Sequence, residues 1–205
     1  MLGRFAVVVA AGALLSGCAL GQRPTVTDRG KPDDRAVEAV LSLLAEAPAV
    51  TFTATYTIMP AAVDIGPVTA VVVHDGSAPG GQTRVTIGDV VYIDDGGEQR
   101  TCAAGGECVA GYDEARVSNL SVTSAFWGSS AARRLGTDAG RDIAEAVGTE
   151  AAIAGQAATC VTLALDGANA GYCALQTGPL ARQAGNDVAI ELTEFALTVD
   201  PAAFG

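Results

Sequence analysis

Five cysteines, one histidine and a few acidic turns are the side chains of this 205-residue sequence best suited to chemistry. Four of the cysteines fall in two local pairs, Cys102 with Cys108 and Cys160 with Cys173. Zinc ligands usually recur at C-x2–4-C, and neither spacing fits that rule or the redox C-x-x-C motif. Four thiols allow three disulfide connectivities, and the spacing favours the two local ones. Val161 to Leu165 and Gly171 to Leu175 read as strands joined by a two-residue turn, Asp166-Gly167. That register sets Leu165 against Ala168 and, counting outward, Cys160 against Cys173. It is a non-hydrogen-bonded pair, where Cα atoms lie ~4.5 Å apart, within bridging range. In the other pair, a three-residue loop ending at a left-handed Gly106 sets Cys102 opposite Cys108.

The remaining candidates carry less. His74 stands at a strand end beside a turn, where a surface or strand-end role is the expectation rather than catalysis. Asp89, Asp94, Asp95 and Glu98 have calcium-type oxygens but not the order of an EF-hand loop, so they read as solvated hairpin tips. Arg133 and Arg134, near Trp127, have the charge to meet a phosphate or an acyl head group. No G-x-S-x-G, H-E-x-x-H or P-loop pattern occurs. The expectation is a protein that is not an enzyme, with no metal and no cofactor.

Charge and composition narrow the partners. Acidic residues outnumber basic ones 23 to 12, for a net charge of −11, and no basic cluster is visible. Nucleic acid is therefore not expected as a partner, because tracking phosphates needs clustered Lys and Arg. Apolar residues make up 49% and charged residues 17%, which excludes a disordered tail. With only 5% aromatics, the core has to be built mainly from Val, Leu, Ile and Ala.

The fifth cysteine supplies an address. Arg4 gives a positive start, Phe5 to Leu15 is an unbroken run of apolar residues and glycine, and Leu15-Ser16-Gly17-Cys18 follows. Such a run spans roughly 16 Å as a helix against a hydrocarbon core of ~30 Å, so it is an export signal and not a membrane anchor. Its end resembles the bacterial lipobox, which is cut before a cysteine that then carries diacylglycerol. The other reading is an ordinary signal peptide with a chance cysteine. Residues 1–17 are accordingly expected to be signal peptide, Cys18 the lipid anchor, and 18–32 a flexible tether rich in Gly and Pro. The expected location is the extracytoplasmic face of the cell membrane, with the membrane engaged through acyl chains. An acidic body is repelled by anionic head groups, so the acyl chains alone must hold it.

A single domain, 33–205, follows. Asp33 or Asp34 caps a helix to about Ala47, with Ala36, Val37, Val40, Leu41, Leu44 and Ala47 on one face. From Val50 to Ile58 apolar residues and threonines alternate strictly, giving one buried face and one wet or ligand-facing face. Short strands follow at Val68 to His74, Gln82 to Ile87, Val90 to Asp94 and Glu98 to Cys102. They lie too close together for helical crossovers, so the sheet is antiparallel. From Asp113 to about Gly148 the composition turns helical, with breaks around Gly128 and Gly136; Ile143, Ala146 and Val147 belong to its second part. About five more strands run from Glu150 to Phe195. The fold class is α+β, with about 10 strands, an N-terminal helix and a mid-chain helical insert.

That order, on a lipobox precursor, resembles the LolA/LppX/RseB-like superfamily of exported lipid-handling proteins. Val90-Val91-Tyr92-Ile93-Asp94-Asp95-Gly96-Gly97 leading to Cys102 carries part of the likeness. The stretch from Ala154 to Cys160, through Tyr172-Cys173 to Leu192-Thr193-Glu194-Phe195, carries the rest. The resemblance implies a strongly curved antiparallel half-barrel whose concave face is covered by helices, often with acyl chains between them. On that basis the expected ligand is a lipid or other hydrophobe, lined by Phe52 and Tyr56 from the first long strand and Leu120, Phe126 and Trp127 from the insert. The alternative is an anchored module with a filled core that binds a protein partner, as sensor or structural component.

Overall fold

A computed structural model describes residues 34–62 and 64–204. The signal, Cys18 and the tether lie outside the described residues. Helix α1 (Arg35–Glu46) buries Val37, Val40 and Leu44 on one stripe, as their three- and four-residue spacing requires. Ala47, fully buried, opens the 3-10 turn Ala47–Ala49 in which Pro48 ends the helix. Asp34 takes the N-cap position, yet its side chain makes no capping hydrogen bond. The Asp34 carbonyl instead accepts the Glu38 N–H at 3.0 Å, which corrects the expected side-chain cap.

The strands are β1 (Phe52–Pro60), β2 (Val68–Asp75), β3 (Gln82–Ile87), β4 (Val90–Asp95), β5 (Glu98–Ala103) and β6 (Cys108–Ala110), then β7 (Val147–Ile153), β8 (Gln156–Leu165), β9 (Ala168–Leu175), β10 (Leu180–Ala184) and β11 (Val188–Ala196). They form one open sheet of 11 strands in the order β6-β5-β4-β3-β2-β1-β11-β10-β9-β8-β7. Nearly every neighbour is a hairpin partner. The exception is β1 with β11, an antiparallel pair that joins the two halves, with a bulge between Thr55 and Tyr56. The strand beyond the ten expected is β6, whose three residues are too few to show alternation.

Strand β1 behaves as its alternation demands. Phe52, Ala54, Tyr56 and Ile58 are buried, and the threonines between them face outward. Each large side chain so buried contributes about 1.5–3 kcal/mol. The inner face carries α1 and the insert, so the core lies between sheet and helices.

The insert departs from expectation in its second half. It consists of a 3-10 turn, Glu114–Leu120, then turns, then α2 (Ser129–Ala139). Gly128 is the N-cap of α2, but Gly136 lies inside the helix and does not break it. Ile143 and Val147 are not helical: Val147 opens β7, and both side chains are largely exposed. Backbone pairing decides this. The Ile143 N–H donates to Ala164 O at 2.9 Å, and the Ala164 N–H donates to Asp142 Oδ1 at 3.0 Å, so the chain is already committed to the end of β8.

Both local disulfides are present. Cys160 faces Cys173 with Cα atoms 4.0 Å apart, across the hairpin that pairs Leu165 with Ala168. Cys102 faces Cys108 at 4.1 Å. The left-handed residue in that second loop is Gly105, at φ +70°, and not Gly106. Loop-closure entropy grows with loop length, so the bridge spanning 13 residues stabilises more than the one spanning 6. Replacing Cys160 and Cys173 together by serine is expected to cost up to about 3 kcal/mol, and replacing Cys102 and Cys108 less. Urea denaturation of the two double variants checks the order, and the reverse order would contradict the entropic account.

Candidate functional site

The seam between sheet and insert is where the expected ligand residues meet. Strand β1 directs Phe52 and Tyr56 inward. The turn after Leu120 brings Trp127 edge-on to Phe52, with ring centroids 5.4 Å apart, and Phe126 edge-on to Tyr56 at 5.0 Å. Leu120 is buried in the same core, so all five residues join one apolar cluster. The two sides touch directly. Phe52 and Tyr56 are both fully buried beneath the insert.

His74 belongs to this seam too: it keeps the expected place at the end of β2, but it is buried there and not on the surface. It is 4% exposed and lies 4.9 Å from Trp127, centroid to centroid. Nε2 sits 2.9 Å from the Pro48 carbonyl and Nδ1 sits 2.8 Å from Thr83 Oγ1. A carbonyl only accepts, so Nε2 donates its proton to Pro48, while Thr83 Oγ1 partners Nδ1. The ring thereby ties the end of α1 to β2 and β3.

Polar contacts pin the insert at intervals. The Tyr92 hydroxyl donates to Asp113 O at 3.0 Å, and the Ser124 hydroxyl donates to Glu114 Oε1 at 2.6 Å. The Leu180 N–H donates to Trp127 O at 2.8 Å. At the far end the Tyr172 hydroxyl donates to Asp138 Oδ2 at 2.5 Å, and Arg134 forms an ion pair with Asp187. Between these pins, Ser121 takes the left-handed conformation at φ +57°, rare for a residue with a Cβ. Tyr56 Oη, Thr123 Oγ1 and Trp127 Nε1 are buried without hydrogen-bond partners among the described residues. Each such group costs roughly 1–3 kcal/mol in lost hydration. These orphaned groups sit where sheet and insert meet.

Burial pushes the Tyr56 phenol far above its usual range. Burial also raises Tyr172, helped by its bond to Asp138. Tyr92 is pushed up to about 12 by burial and then by the charges of Glu114 and Asp113. All three phenols are therefore neutral at physiological pH, and Tyr92 and Tyr172 act as donors. For Arg134, burial alone disfavours the charge, but the hydrogen bond and charge of Asp187 more than offset it.

Beside the seam a cleft of about 250 Å³ opens between the insert and β10–β11. Val122, Phe126, Ala131 and Ile190 give it apolar walls; Thr123, Ser130, Gln183 and Arg134 give it polar ones. A neighbouring polar cleft of about 260 Å³ shares Arg134 and is lined by Asp138, Arg141, Asp166, Asn169 and Asp187. Of the cleft residues, sequence reading singled out only Phe126 and Arg134. Gln183 had a signal that was missed: it is a polar residue at an inward position of β10, and it is buried. Two of the acidic turn residues are locally satisfied: Asp94 accepts from the Gly97 N–H and the Gln99 amide, and Asp95 accepts from the Gln82 amide.

An open antiparallel sheet of 11 strands with an N-terminal helix and a mid-chain insert on its inner face defines an α+β fold. A chain in the MucA/MucB complex of Pseudomonas aeruginosa has the same fold. The TM-score is 0.55 at 13% identity, covering 83% of this chain and 60% of that one. MucB alone matches with a TM-score of 0.48 at 14% identity, covering 83% of this chain and 62% of that one. LprF from Mycobacterium bovis matches with a TM-score of 0.39 at 12% identity, covering 83% and 97% respectively. This chain thus spans less than two thirds of the MucB chains it matches. No family model and no curated protein sequence matches the chain.

Proposed function

We propose that the protein is a membrane-anchored, non-enzymatic envelope lipoprotein that holds an acyl-bearing ligand between its sheet and its insert. The amphipathic cleft under the insert carries this reading. It has apolar walls for a chain and hydroxyl, amide and guanidinium groups for a polar end. At about 250 Å³ it falls just below the ~300–1,000 Å³ of drug-sized sites. That suits one chain end and not several. The orphaned polar groups along the seam support an insert that lifts, because opening it lets them find partners. Native mass spectrometry of the domain without its anchor should find co-purifying lipid. Fluorescence of Trp127, the one tryptophan of the chain, should change saturably when a single-chain amphiphile is added. Trp127→Ala should weaken binding, read by calorimetry, while the domain stays folded by circular dichroism.

A second reading has its own support. The contacts of Phe52 with Trp127 and Tyr56 with Phe126 fill the seam, and the MucB neighbour was solved in complex with MucA. A filled half-barrel that docks a protein partner fits both observations. Absence of bound lipid together with no saturable Trp127 response would favour it.

A further inference from the structure

We infer that the cleft beneath the insert discriminates by charge, accepting uncharged acyl esters or alcohols and rejecting free carboxylates. The inference rests on the acyl-binding reading above and specifies its ligand class. Among the residues lining the cleft, Arg134 bears the only formal charge. That charge is already shared: Arg134 Nη2 pairs with Asp187 Oδ1. Asp138, which accepts the Tyr172 hydroxyl, is a second carboxylate in the adjoining cleft, and Asp166 is a third. Arg141 is the only other cation there.

A ligand carboxylate at Arg134 therefore adds another negative charge to a group of aspartates that the two arginines do not neutralise. Like charges in a partly desolvated site disfavour the ionised form of one another. The wider field works in the same direction, since acidic residues outnumber basic ones 23 to 12. A neutral ester meets none of this. Its oxygens can accept from Arg134 donors that the single bond to Asp187 leaves free, and from the Gln183 amide. The Thr123 hydroxyl is an independent sign of a polar ligand atom: it lines the cleft and is buried without a partner.

The test uses two probes of equal chain length, monodecanoylglycerol and decanoate, each below its micelle concentration at pH 8. Trp127 fluorescence is the readout. The ester should bind at least tenfold more tightly than the carboxylate. In Asp187→Asn, which frees Arg134 and removes one negative charge, that preference should shrink below threefold. Asp187→Glu, which keeps the charge, should retain it. Denaturation curves of both variants confirm folding. Equal affinities in the unaltered protein, or a preference unmoved by Asp187→Asn, overturn charge selection while leaving acyl binding intact. No response to either probe overturns the acyl-binding reading, and this inference with it.

Discussion

Gly178→Ala is expected to destabilise the domain by about 3 kcal/mol or more, the largest single-site stability effect predicted for this chain. Gly178 lies in the turn between β9 and β10 at φ +114°, where its N–H donates to Leu175 O at 2.8 Å. A Cβ at that position would stand 2.8 Å from Ala47 N and 3.0 Å from Ala47 Cα. Both are backbone atoms, so no rotamer change relieves the clash. Overpacking of this kind costs roughly 1–3 kcal/mol, and forcing a Cβ into left-handed backbone adds roughly 1–2 kcal/mol. The consequence reaches beyond the turn, because Ala47 ends α1 and Pro48 O bonds to His74. Gly155→Ala is the control. It has φ +74° but no neighbour within 4 Å of its Cβ, so it should show the backbone cost alone. Urea unfolding of the two variants separates the terms. If Gly178→Ala costs no more than Gly155→Ala, the close approach of α1 to this turn is refuted.

Cys18→Ser is expected to abolish acylation and release the protein from the membrane. The apolar run, the small residues and the thiol coincide at that position, and the acidic domain has no electrostatic means of holding an anionic bilayer. On the lipoprotein reading proposed above, anchoring depends on the acyl chains, and two or more give stable attachment where one does not. Loss of the thiol removes them together, so the effect is all-or-none and not graded. Metabolic labelling with an acyl probe, followed by membrane fractionation, should mark and sediment the wild type and miss the variant. Equal labelling of both proteins would end the lipoprotein reading.

Local patterns made much of the fold readable. The alternation from Val50 to Ile58 predicted the inner face of β1 residue by residue, because side chains on a strand point to opposite faces in strict turn. The two-residue turn at Asp166-Gly167 fixed the register of β8 on β9, and with it the facing of Cys160 and Cys173. The apolar stripe of α1 was equally visible. What failed was also local in cause. Helical composition around Ile143 to Val147 lost to strand pairing, since a backbone N–H or C=O already used at the sheet edge cannot also close a helical turn. The cap at Asp34 and the choice of Gly105 over Gly106 turned on dihedral details that residue type does not specify.

The site divides along the same line. That Phe52 and Tyr56 share a face, and that an insert bearing Leu120, Phe126 and Trp127 interrupts the strands, followed from spacing alone. The cleft did not. It is made by Val122 to Arg134 on one side and by Gln183 and Ile190 on the other, residues brought together only when β11 pairs with β1 and β10. The partner of Arg134, Asp187, is 53 residues away. Sequence periodicity encodes which way a side chain points, because that is set within a few residues by backbone geometry. Which groups share a cavity, which charge is already paired and which hydroxyl is left without a partner depend on long-range strand pairing, and the tertiary structure alone decided them.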